Sequence, residues 1–181
     1  GHKGKTDNAP FGATKNPWNL EFSPGGSSGG TSAALASGMI PLGTGSDGGG
    51  SIRIPAALGG LAGIKTSQGR IPIGGDTPPG SGLLTVKGPM ANTTKDNALA
   101  LDATVGPHPT DIFSLEGENL NWFSQLTGEL PKSAIWSPTM GFSTVDKEVM
   151  EQCEIAINKL ADAGVEIIEK ETIWSENPVE A

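Results

Sequence analysis

Ten of the chain's 27 glycines fall between residues 25 and 50, and this crowding limits the fold more than any other feature. Glycine reaches backbone angles closed to other residues and lets two backbones approach closely, so clustered glycines mark sharp turns inside a packed structure. Nine of them form two runs, Gly-Gly-Ser-Ser-Gly-Gly at 25–30 and Gly-Thr-Gly-Ser-Asp-Gly-Gly-Gly-Ser-Ile-Arg at 43–53. Each run carries a serine and leads into small or apolar residues. Apolar stretches surround both, which excludes a disordered, glycine-rich linker.

The residues around these runs predict short elements. Thr-Ser-Ala-Ala-Leu-Ala-Ser predicts a helix over about 29–37, apolar on nearly every face and therefore buried. Residues 39–42 read as a short buried strand, 43–50 as a glycine-rich turn, 51–58 as a second helix and 61–66 as a strand. Residues 1–24 and 106–130 read as irregular, and 67–88 as a long Gly/Pro-rich loop. Thr93 and Asp96 resemble a capping box for a helix over about 93–105, with Ala98, Leu101, Ala103 and Val105 as its apolar contacts. Further on, residues 133–136 predict a strand. Asp146 caps a helix over 147–163, whose Val149, Cys153, Ala156, Ile157, Leu160 and Ala163 keep the spacing of one buried face. Gly164 stops it, and 165–168 predict a second strand. The fold class expected is α/β, a mixed sheet flanked by helices. A length of 181 residues fits a single domain or part of a larger one. Within it, residues 1–110 form a glycine-rich core segment and 111–181 an acidic β-α-β segment.

Charge is divided unevenly. The net charge of −8 is the sum of about +2 in residues 1–110 and −10 in residues 111–181. No basic patch invites nucleic acid or anionic lipid. No apolar run is long enough to span a membrane, and no secretory leader is visible. Cys153 is the one cysteine, which excludes an internal disulfide and fits a reducing, cytoplasmic setting. In that setting the acceptor-like triplet at Asn92 is read as chance. His2 and His108 are the only histidines, too few with one cysteine for a zinc site, so neither a metal nor an organic cofactor is expected.

Three glycines before a serine at a helix start have a chemical use. Successive N–H groups there can converge on one point, where the helix end adds positive potential. That arrangement holds the oxyanion of an acyl-transfer intermediate and puts Ser51 beside it as nucleophile. Rival readings share the residues. Gly43, Gly45 and Gly48 match the dinucleotide-binding fingerprint, but the acidic residue expected about twenty positions on is missing. A phosphate-binding loop would need Gly-Lys-Ser/Thr after the glycines. A plain tight turn remains the bland alternative. The second serine-bearing turn favours chemistry, since two such turns can bring their hydroxyls together. Neither histidine has a similar setting, which leaves a lysine acting through a second serine as the base.

The run at 25–30 followed by residues 45–55 resembles the amidase signature family, including the separation of Ser27 and Ser51. The resemblance continues through 59–66, 69–72 and 88–91, and through the stretch from Trp136 to Asp146, and covers about 8–170. It implies that Ser51 is the acylated nucleophile and that Ser27, after a cis peptide from Gly26, bridges Ser51 to a catalytic lysine. It also implies an oxyanion hole of the N–H groups of Gly48, Gly49, Gly50 and Ser51, with Ser28, Asp47 and Arg53 in support. The implied activity is hydrolysis of a small-molecule carboxamide. The amidase subunit of a glutamine-dependent amidotransferase is one alternative, and a non-catalytic assembly or binding module is another.

One departure bears on activity. The family's lysine lies well upstream of the first glycine-serine turn, and this chain begins too late to contain it; Lys3 and Lys5 lack its context. The expectation is an N-terminally incomplete amidase core, inactive or nearly so by itself. Uncovered strand edges and apolar surface should then lead it to self-associate or to belong to a larger polypeptide.

Overall fold

The computed structural model describes residues 3–74, 84–116 and 121–178. The chain forms two compact units, Gly1–Thr127 and Gly128–Ala181. The first contains β1 (Asp7–Asn8), β2 (Gly12–Ala13), α1 (Gly29–Ala36), β3 (Leu42–Asp47), α2 (Arg53–Gly59), β4 (Ala62–Gly63), β5 (Val86–Ala91) and α3 (Thr94–Thr104). The second contains β6 (Ser133–Trp136), α4 (Lys147–Asp162) and β7 (Glu166–Glu169).

In the first unit β1 and β2 make a small hairpin, in a region expected to be irregular. The main sheet is antiparallel, in the order β3-β5-β4. Leu35 of α1, Ile52 and Ala56 around α2, and Met90 of β5 form the core, with Ile40 and Leu61 packed against it. The glycines set how closely these layers meet. Gly45 and Gly88 pair across β3 and β5. A Cβ at Gly45 would lie 2.9 Å from Ile52, and one at Gly88 would collide with the Ile64 carbonyl. Their absence lets the fully buried Ile52 rest on the sheet.

Several expectations change here. The strand expected at 39–42 is not buried: Met39 is 78% exposed and Leu42 40%. The strand instead runs through the expected glycine turn, as β3, and the turn itself shrinks to about 48–52. Helix α1 buries Gly29, Ser32 and Leu35, one stripe and not every face. The strand expected at 61–66 is only Ala62–Gly63. Within the expected loop lies the start of β5, the central strand. Pro89 has no N–H to donate, but its carbonyl accepts from the Ile64 N–H at 3.1 Å.

Helix α3 starts as expected, the Thr93 hydroxyl accepting from the Asp96 N–H at 3.1 Å. Ala98 and Leu101 are buried, whereas Ala103 is exposed. Asn97 and Ala100 are buried beside them, and the Asn97 Nδ2 donates to the Ala62 carbonyl at 2.9 Å. After α3, the Asp111 carboxylate accepts from the N–H of Ile73 at 2.6 Å and of Phe113 at 2.9 Å. These bonds, with Leu115 N–H to Gly69 carbonyl at 2.9 Å, fasten the two loops together.

The second unit is the expected β-α-β: β6 and β7 are parallel, with Ile135 opposite Ile168. Asp146 caps α4 by accepting from the Glu148 N–H at 2.9 Å. Gly164, at φ 95°, ends it. The expected buried face of α4 is not buried. Cys153 and Ile157 are half-buried, while Val149 is 53% exposed and Leu160 38%. Two four-residue strands are too narrow to cover a sixteen-residue helix.

Thr93→Ala should destabilise the protein by about 1 kcal/mol, the usual worth of such a cap. Thr93→Ser should recover most of it. The midpoint of urea unfolding measures both.

Candidate active site

The first serine turn is fixed by a residue far from it in sequence. Thr6 donates its hydroxyl to the carbonyls of Gly25, at 3.0 Å, and Ser27, at 3.4 Å. The same oxygen accepts the Gly29 N–H at 3.1 Å. Gly25 has φ 81°, and the Gly26–Ser27 peptide is cis, as the family resemblance implied. A Cβ at Gly26 would lie 2.7 Å from the backbone of Lys3 and Lys5, so the N-terminal segment packs directly on this turn. The ammonium groups of Lys3 and Lys5 are held at 3.0 Å by Asp7. Hydrogen bonds from Lys5 and Lys3 bring the Asp7 carboxyl below its ordinary range.

The second serine turn is wound around Asp47. Its side chain is fully buried at the end of β3, and among the described residues the hydrogen bonds it accepts come from the turn that follows and from the first residue of α2. Oδ1 accepts the Gly50 N–H at 2.7 Å; Oδ2 accepts those of Ile52 at 3.1 Å and Arg53 at 3.2 Å. The Arg53 guanidinium closes the arrangement, Nη2 to Oδ1 at 2.9 Å and Nε to Oδ2 at 3.0 Å. Burial opposes the charged carboxylate, but Arg53 and the three N–H groups outweigh it and hold the carboxyl far below its usual value. The same contact raises the Arg53 pKa. Asp47 and Arg53 are thus the joint on which the Ser51 turn is folded.

The structure brings the two turns together: the Ser28 N–H donates to the Ser51 carbonyl at 3.3 Å. Ser27, Ser28 and Ser51 are all half-buried. Of the four N–H groups expected in an oxyanion hole, that of Gly50 is committed to Asp47. Among the described residues, those of Gly48, Gly49 and Ser51 donate to no protein acceptor. Beside Ser27 opens a cleft of about 490 Å³, which Ser28, Thr31, Thr44, Gly45, Ser46, Ile71 and Lys87 also line.

Thr6, Thr44, Ser46 and Lys87 were not singled out from the sequence. Thr6 lies in an irregular segment with no pattern to flag it. Thr44 and Ser46 alternate along β3, but the intervening glycines hide a strand periodicity. His108 stands apart in a loop, its Nδ1 3.0 Å from the Thr110 hydroxyl. Among the described residues no cluster of three or more His, Cys, Asp or Glu could hold a metal ion, and no helix is long and apolar enough to cross a membrane.

Removing the Asp47 carboxylate should unfold the Ser51 turn first. Asp47→Ala strands three backbone N–H groups and should cost about 3 kcal/mol at pH 7. Because the folded carboxyl titrates below the unfolded value of about 3.9, its contribution is complete above that pH and fades as the pH falls below about 4. The gap between wild type and variant in urea midpoints should therefore be wide at pH 7 and narrower at pH 3.

The sequence model of the Amidase family matches residues 1–180. The chain is 40% identical over 189 residues to an acylamidase of Rhodococcus erythropolis, covering 100% of this chain and 38% of that protein. It is 42% identical over 161 residues to a glutamyl-tRNA(Gln) amidotransferase subunit of Bacillus velezensis, covering 88% of this chain and 33% of the relative. Among solved structures, a bacterial aryl acylamidase of the amidase signature enzymes superposes with a TM-score of 0.86 at 36% identity, covering 94% of this chain and 35% of the other. The chain thus spans between a third and two fifths of the length of these relatives. By motif, fold and sequence match, it belongs to the amidase family, the amidase signature enzymes.

Proposed function

We propose that the chain carries the nucleophile-bearing part of an amidohydrolase that cleaves carboxamide C–N bonds through an acyl-enzyme on Ser51. The observation that carries this reading is the junction of the two serine turns, Ser28 N–H to Ser51 carbonyl at 3.3 Å. In this reading the Ser51 hydroxyl attacks the carbonyl carbon and gives its proton towards Ser27. The N–H groups of Gly48, Gly49 and Ser51 stabilise the oxyanion. Ser27 passes a proton to the leaving amine as the C–N bond breaks, and water then releases the acid from Ser51. Ser28, Asp47 and Arg53 hold the turns and do not touch the reacting atoms.

The proposal includes low activity for the 181 residues alone. A serine relay needs a base, and Lys3 and Lys5 are engaged by Asp7. In this reading the base is the family's lysine, which lies well upstream of the first glycine-serine turn. A second reading, the amidase subunit of a glutamine-dependent amidotransferase, is favoured by relatives that are glutamyl-tRNA(Gln) amidotransferase subunits, with 38–48% identity. It would use the same serines to release ammonia from glutamine, and a glutaminase assay with partner subunits separates the two.

Labelling with a serine-reactive fluorophosphonate, read by intact mass beside Ser51→Ala, tests the main reading. The 181-residue chain should label little. A chain extended upstream through the lysine motif should label at Ser51, with the Ser51→Ala form unlabelled. Strong Ser51-dependent labelling of the short chain would overturn the dependence on an upstream lysine. Labelling of the extended chain that survives Ser51→Ala would overturn the acyl-enzyme.

A further inference from the structure

A buried side-chain bond joins the two helices that follow the serine turns. At the turns themselves, the Ser28 N–H donates to the Ser51 carbonyl at 3.3 Å. Four residues further along each segment, the Ser32 hydroxyl of α1 donates to the Pro55 carbonyl of α2 at 2.7 Å. Four residues make about one helical turn, so the second bond repeats the first one turn deeper. Pro55 shapes both levels. A carbonyl four residues before a helical residue ordinarily accepts that residue's N–H, but proline has none. The Ser51 carbonyl is thereby left to Ser28, and the Pro55 carbonyl receives Ser32. Ser32 and Pro55 are both fully buried, so their bond is made away from water. Ser32 is also tied back to the first turn, its N–H donating to the Ser28 carbonyl at 3.0 Å. A Cβ at Gly59 would overlap the Ser32 hydroxyl, and the glycine leaves the room this bond needs.

We propose that Ser32 is a positioning residue that sets the spacing between the Ser27 and Ser51 turns. It touches no reacting atom. Its short bond to Pro55 holds α1 against α2, and the longer contact between Ser28 and Ser51 follows from it. What the spacing serves rests on the acyl-enzyme reading: a proton passes from Ser51 to Ser27 only while their hydroxyls stay within hydrogen-bond reach. Without the Ser32 hydroxyl the helices keep their apolar packing through Leu35, Ile52 and Ala56, but lose the bond that fixes their register at this level. The fold survives and the alignment of the two turns loosens, which is where a small displacement costs rate.

Two variants test this. Ser32→Ala removes the hydroxyl from a site that a methyl still fills, and Gly59→Ala keeps the hydroxyl but pushes it off Pro55. In the ¹⁵N-labelled 181-residue chain, both should quicken hydrogen exchange of the Ser28 amide by about fivefold, the worth of one hydrogen bond, and leave the amides of α3 unchanged. The double variant should be no worse than either single one, because both act on the same bond. In the chain extended upstream through the lysine motif, the rate constant for fluorophosphonate attack at Ser51 should fall about tenfold in Ser32→Ala, at unchanged affinity for the reagent. Ser28 exchange at the wild-type rate in Ser32→Ala, or acceleration spread equally over α3, would overturn the positioning role. So would additive effects in the double variant, or a wild-type rate constant for labelling in Ser32→Ala. Failure of the extended wild-type chain to label removes the acyl-enzyme, and the exchange rates alone then decide whether Ser32 spaces the turns.

Discussion

The Asp47 carboxylate is the interaction on which the rest of the site depends. It ends β3 inside the protein and accepts the N–H groups of Gly50, Ile52 and Arg53 together with the Arg53 guanidinium. A buried charge without such partners would cost several kcal/mol. Here the partners come from the turn that carries Ser51, so satisfying the charge and folding the turn are one event. The same turn delivers Ile52 to the core at full burial and starts α2. The core and the candidate nucleophile are therefore fixed by a single side chain, and the Gly50 N–H serves this joint in addition to any role near substrate.

A second dependence runs through small residues. Ile52, at the start of α2, rests on the sheet because Gly45 and Gly88 face each other where any Cβ would meet Ile52 or the Ile64 carbonyl. Thr6 then locks the Ser27 turn with one hydroxyl that donates to two carbonyls and accepts one N–H. The serine turns are held mainly by backbone groups and by side chains that need not touch a substrate. Ser27, Ser28, Thr44, Ser46 and Lys87 line one cleft beside these turns.

The second unit shows what a sequence pattern can and cannot promise. The spacing of Val149, Cys153, Ile157 and Leu160 marks an apolar face, and the helix forms where its cap and its glycine stop predict. Burial of that face needs a surface to receive it, and β6 with β7 supplies only a narrow one. Periodicity fixes the direction in which a side chain points; the extent of the partner layer decides whether it is covered.

Local chemistry in the sequence determined the capped helices α3 and α4, the parallel strands around α4, and the two serine turns with their candidate nucleophile and relay. Each follows from short-range steric and hydrogen-bonding rules: Thr93 and Asp146 as caps, Gly164 as a stop, glycine runs as turns. The tertiary structure decided where β3 and β5 run. Glycines and Pro89 make both segments read as turn or loop, and only pairing across the sheet satisfies their backbone groups as strands. It also decided that Thr6 reaches the Ser27 turn across about twenty residues and that Lys87 faces the same cleft as Ser27. Such contacts depend on how distant segments pack, and no local pattern along the chain records them.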